Sequence, residues 1–191
     1  MAGINRAKPT PMFESYSVNK SVNQLPNKPC IFLSHISVDK EAAIQIGDYI
    51  TNYADIDIYL DIYDNDLQQA AILQDPVKIT DFIESGISKS THAMCLISQN
   101  TAKSWWVPYE LGFAKKSGKS LCSLKLKGDV KLPEFLSISD ILHGTRSLNQ
   151  YIEKVVTTWE SRNSPTSKIK IALESHSSMS HPLDRYLDWQ E

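Results

Sequence analysis

Short, almost wholly apolar runs separated by stretches of helical spacing constrain this chain more than any other feature. Cys30-Ile31-Phe32-Leu33, Asp57-Ile58-Tyr59-Leu60, His92-Ala93-Met94-Cys95-Leu96-Ile97 and residues 120–126 each read as a buried strand. Between the first two, residues 37–54 place Ala42, Ala43, Ile46, Tyr49, Ile50 and Tyr53 at three- and four-residue steps, which predicts an amphipathic helix. Ser37, with Lys40-Glu41 behind it, starts that helix. Further helices are expected over residues 78–88, through Tyr109, Leu111, Phe113 and Ala114 to Gly118, and over residues 148–159; residues 138–142 hold a short fifth strand or a turn. Strands apolar on both faces must be covered on both faces, so the pattern specifies an α/β fold with a parallel sheet. Right-handed crossovers make such a sheet doubly wound, and its ligands bind beyond the carboxyl ends of the strands. The loops after Leu33, Leu60 and Ile97 then share one rim.

The 191 residues suffice for one buried core with extensions. Residues 1–28, with Pro9, Pro11 and Pro26 among many Asn, Ser and Lys, read as an arm or poorly ordered tail. Residues 29–160 form the domain. Residues 161–191 are a Ser-rich extension with a helical stretch at 169–173 and an aromatic end, Tyr186 and Trp189. A formal charge of −2 offers nothing to nucleic acid or to an anionic membrane. Lys115, Lys116 and Lys119 read as the solvated end of a helix, where positive charge suits the carbonyl dipole. Cys30, Cys95 and Cys122 sit among apolar neighbours without paired spacing, as free thiols in a reducing compartment do. No run approaches the roughly 18 apolar residues of a membrane span, and the first residues lack a signal-peptide layout, so the cytoplasm is expected.

Several chemistries find no motif. There is no G-x-G-x-x-G, and Gly118-Lys119-Ser120 is not a P-loop, since the required first glycine falls on Phe113 and the helix precedes the strand. His35, His92, His143, His176 and His181 lack ligand spacing and no C-x-x-C occurs, so no metal is expected. G-x-S-x-G is absent.

The informative segment is Ser104-Trp105-Trp106-Val107-Pro108-Tyr109-Glu110. Trp106 and Glu110 lie four apart, so in a helix an indole and a carboxylate would share one face. A blander reading stands beside this one: Trp106 packs in the core and Glu110 is an exposed first-turn acid favoured by the helix dipole. Pro108 suits a first helical turn and pushes Val107 toward extended geometry, which would leave Trp106 just outside the helix.

Ile31-Phe32-Leu33-Ser34-His35 with Ser37-x-Asp39-Lys40 resembles the opening strand and loop of Toll/interleukin-1 receptor (TIR) domains. Ile58-Tyr59-Leu60-Asp61 is similar to their second strand, the segment from Ile83 to Ser90 to the helix before their central strand, and Cys95-Leu96-Ile97-Ser98 to that strand's end. Ser104-x-Trp106-Val107-x-x-Glu110-x-x-x-Ala114 resembles the S-x-W-V-x-x-E-x-x-x-A pattern of bacterial and plant-like members. The resemblance spans about residues 29–160. It implies a flavodoxin-like, five-stranded parallel sheet and an enzyme whose Glu110 assists cleavage of the nicotinamide–ribose bond of NAD, the substrate, with no cofactor. It further implies that Trp106 walls the site, that Ser34, His35, Ile36 and Ser37 form the first rim loop, that Asp61 lies on the second, and that Ser98 faces substrate. Each has a plainer role available: His35 and Asp61 as loop caps, Ser98 as the start of a loop. The loop at residues 61–66 lacks the Pro-Gly common in the family, and residues 67–75 read as a lengthening of it.

A stand-alone TIR enzyme of the Thoeris antiphage type is the expectation, making a cyclic or conjugated ADP-ribose signal for a separate effector protein, with TIR–TIR self-assembly possible. Two alternatives remain at this point. One is a non-enzymatic adaptor acting by homotypic assembly; the other is a nucleoside deoxyribosyltransferase-like enzyme that ignores NAD.

Overall fold

The computed structural model describes residues 2–9, 28–163 and 181–189. Five parallel strands, β1 (Cys30–Ser34), β2 (Asp57–Tyr59), β3 (His92–Ile97), β4 (Ser120–Lys125) and β5 (Asp140–Leu142), form one sheet in the order β2-β1-β3-β4-β5. The helices are α1 (Lys40–Ala54), α2 (Asn65–Ile72), α3 (Pro76–Ser88), α4 (Trp106–Lys116) and α5 (Thr145–Asn163). This is the doubly wound, flavodoxin-like arrangement. Its strand order reverses between β1 and β3, which pair from Ile31↔His92 to Ser34↔Cys95. The crevice at such a reversal is where ligands of open parallel sheets bind.

Burial follows the apolar pattern. Every residue of β1 is buried, as expected of a strand covered on both faces. On one face α1 and α5 pack over Ile31, Leu33, Met94, Leu96 and Leu124. On the other, α3 and α4 cover Phe32, Tyr59 and Ala93, with Cys95 and Ile97 under Val107 and Leu111. Gly86 lets α3 approach β2 closely, because a Cβ there would lie 2.4 Å from Cε1 of Tyr59. The three cysteines are free and buried, and burial pushes the Cys30 thiol up to about 11. Such thiols pack as small apolar groups.

Four expectations are revised. Residues 2–9 are docked along the outer edge of β2, where Asn5 bridges Ile58 in parallel; residues 10–27 lie outside the described residues. Residues 65–72 form α2 rather than an extended loop: the Asp64 side chain caps it by accepting from the amides of Asp66 and Leu67. Its exposed Ile72 is what blurs the helical pattern in the sequence. Lys119 serves another helix, donating to the carbonyls of Ser88 (3.0 Å) and Ser90 (2.6 Å) at the end of α3. Beyond residue 160, α5 continues to Asn163, and residues 181–189 return to the core through Leu183 and Leu187, each 1% exposed. The expected helix at residues 169–173 falls outside the described residues.

Candidate active site

Glu110 occupies a core position of α4. Val107, Glu110, Leu111 and Ala114 are the buried residues of that helix, at three- and four-residue spacing on one face. The Ser104 hydroxyl caps the helix start by accepting from the amide of Val107 at 3.1 Å. Trp106 is the first helical residue rather than a flanking one, and Pro108 fits within the first turn, where a missing amide costs nothing. Capping and apolar stripe together turn a carboxylate inward.

Glu110 is 5% exposed, so it is not an exposed first-turn acid. Its Oε2 accepts a 2.5 Å hydrogen bond from the hydroxyl of Ser34, the buried last residue of β1. Burial pushes the Glu110 carboxyl up to about 8; the Ser34 bond opposes this and the charge of Asp61 adds to it. Asp61, in a 3₁₀ turn after β2, is itself raised by burial, with His35 pulling the other way. His35 Nδ1 lies 3.2 Å from the carbonyl of Leu33 and 3.7 Å from Oδ1 of Asp61. A carbonyl only accepts, so that nitrogen carries the proton. Ser34, His35, Asp61 and Glu110 thus converge at the carboxyl ends of β1 and β2.

The remaining expected residues are placed less closely. Ile36 is extended and partly buried, its carbonyl accepting from the amide of Asp39, and Ser37 is exposed at the start of a 3₁₀ turn. Ser98 forms a turn after β3, its hydroxyl accepting from the amide of Asn100 at 3.1 Å. It lines a cleft of about 340 Å³ with Asp39, Asn100, Lys127, Arg185 and Tyr186. Trp106 is 40% exposed and meets Tyr109 edge-on at 6.0 Å between ring centres. Trp105 is 92% exposed.

Asp39 was visible in the sequence only as part of the opening motif. In the structure it precedes α1 without capping it, and its Oδ2 is buried with no hydrogen-bond partner, as is Oδ1 of Asp61. Two buried acceptors left open at one rim suit a ligand that carries hydroxyl groups. Among the described residues no group of three or more His, Cys, Asp or Glu is placed to hold a metal, and no helix is long and apolar enough to cross a membrane.

A five-stranded parallel sheet with a buried carboxyl at its switch point defines a doubly wound α/β protein. The family model for the Thoeris protein ThsB, TIR-like domain, matches residues 32–131, and the chain belongs to that family. It is a TIR-domain protein of the Thoeris defence type. No curated protein matches the sequence.

Proposed function

We propose that this TIR domain cleaves the nicotinamide–ribose bond of NAD and passes the ribosyl carbon to an acceptor, making an ADP-ribose-derived signal. The observation that carries the reading is the Ser34–Glu110 pair, a buried carboxylate held at the switch point by a short hydrogen bond. Asp39 and Asp61, with buried oxygens still open to donors, would take the ribose hydroxyls.

The electron balance is simple. The C1′–N bond breaks with its electron pair moving onto the pyridinium nitrogen, so nicotinamide leaves neutral without a general acid. Positive charge then develops at C1′ and the ring oxygen, where a carboxylate in a water-poor pocket stabilises it strongly. Free Glu110, raised to about 8, holds a proton at neutral pH. The arriving pyridinium cation favours the ionised form, so substrate binding would expel that proton. The ionised carboxylate can then accept the proton of the attacking group, a hydroxyl of the same molecule, a small co-substrate or water, as it bonds to C1′. A dry site favours capture over hydrolysis. Trp106 would wall the nicotinamide end, and His35, Ile36, Ser37 and Ser98 would line its approach. The protein would act in the cytoplasm, with a separate effector reading the product and self-assembly completing the site.

The test is chromatography of NAD incubated with the wild-type chain and with Glu110→Gln, in lysates of phage-challenged and unchallenged cells. Nicotinamide release with a new ADP-ribose-like peak, lost in the variant, is expected. Equal outcomes for two folded proteins under challenge would remove the catalytic reading and leave assembly alone as the function.

A further inference from the structure

The outer edge of β2 is already occupied by the chain's own residues 2–9. The amide of Ile58 donates to the carbonyl of Ile4 (2.9 Å) and the amide of Arg6 to the carbonyl of Ile58 (2.8 Å), so Asn5 meets the edge of β2 in one isolated parallel bridge. Arg6 fixes it. Its Nε donates to Oδ2 of Asp57 (3.0 Å), Nη1 to the carbonyl of Lys89 (2.8 Å) and Nη2 to the carbonyl of Lys28 (3.2 Å). Gly3 lies so close to the sheet that a Cβ would stand 2.0 Å from the carbonyl oxygen of Ile56, which is backbone and cannot yield.

From this anchored segment two side chains reach the turn that carries Asp61. Asn5 Oδ1 accepts from the amide of Leu60 at 3.2 Å and from the amide of Ala7 at 3.0 Å. Three residues further on, at Lys8, the ammonium sits 4.5 Å over the ring of Tyr63. The turn needs such a tie. Asp61 is a poorly solvated carboxyl that gains by moving toward water when it ionises, and the more so once Glu110 gives up its own proton. His35 pulls Asp61 inward, but across 3.7 Å.

We propose that residues 2–9 are a clamp on the β2 edge, with Asn5 the positioning residue that holds the turn at residues 60–63, and so Asp61, in place for substrate. The clamp builds on the NAD reading given above but can be read without it. Asn5 acts through its acceptor, since its Nδ2 is buried without a partner. Asn5→Asp therefore keeps the working oxygen, Asn5→Ala removes it, and Gly3→Ala lifts the start of the segment without touching Asn5.

Amide hydrogen exchange in the full chain is the direct measurement. Losing one such hydrogen bond should speed exchange at residues 60–64 roughly three- to tenfold. That increase is expected in Asn5→Ala and Gly3→Ala, with residues 94–97 of β3 unchanged and Asn5→Asp close to wild type. The KM for NAD should rise by a similar factor in Asn5→Ala while kcat stays within about twofold, as for loss of ground-state positioning. Unchanged exchange at residues 60–64, or an increase shared equally by β3, overturns the clamp. A loosened turn with an unmoved KM overturns its link to substrate. A wild-type chain that leaves NAD intact would instead sink the proposed function, and the exchange result would still decide the clamp.

Discussion

Replacing Glu110 with glutamine should make this protein more stable, and increasingly so as pH rises. The native carboxyl titrates at about 8 against an ordinary 4.5, chiefly because burial disfavours its charged form. Between those two values the unfolded chain gives up the proton while the native protein keeps it. The native state then binds the extra proton, so this group's contribution is fully present below about pH 4.5 and is lost as pH climbs to about 8. Every tenfold change in proton affinity is worth about 1.4 kcal/mol. At pH 8 and above, wild type is therefore handicapped by on the order of 4 kcal/mol, or on the order of 10 °C in Tm for a chain of this size. Glutamine has nearly the same volume, keeps an oxygen to accept from Ser34 and never ionises. Urea unfolding of both proteins at about pH 5 and about pH 8.5 isolates the effect. The expected stability difference is small at the lower pH and several kcal/mol in favour of the variant at the higher, with NAD cleavage abolished throughout. A difference independent of pH, or a variant less stable at high pH, would refute the argument that desolvation dominates at Glu110. A gain in stability on removing a functional group is the usual sign of a site that holds an unfavourable arrangement for chemistry.

Two other expectations follow from the same geometry. Ser34→Ala removes the hydrogen bond that holds the Glu110 carboxyl down, so the pH at which kcat/KM for NAD rises should move up by about 1–2, with roughly tenfold or greater loss near neutrality; a pH–rate profile that stays in place would count against it. Gly86→Ala should cost about 1–3 kcal/mol in urea unfolding, because the new methyl meets a Tyr59 ring that is stacked on Phe32 and whose hydroxyl is bonded to Asp64; a change below about 0.5 kcal/mol would mean the ring can move aside.

The local signals that were legible in the sequence are those that report a face. Strands such as His92–Ile97, apolar on both sides, can exist only inside a covered parallel sheet, and that requirement fixes both topology and rim. The four-residue step from Trp106 to Glu110 left the glutamate's side open, and the structure puts it on the buried face of α4 with Val107, Leu111 and Ala114. The consequence of that placement was not local. A glutamate near the start of a helix is equally consistent with a solvated acid, and only the packing of β1, Asp61 and α4 around it removes water and brings Ser34 within 2.5 Å. The short helix at Asn65–Ile72 was hidden because two of its eight residues are buried while Ala71 and Ile72 face water. The docking of residues 2–9 was hidden for a different reason: backbone amides and carbonyls make its bridge to β2, and these are the same in every sequence. Apolar periodicity therefore determined the sheet and its covering helices. Tertiary structure decided the charge of the Glu110 carboxylate, its partners and the tie from Asn5, because desolvation and long-range hydrogen bonds exist only once distant segments meet.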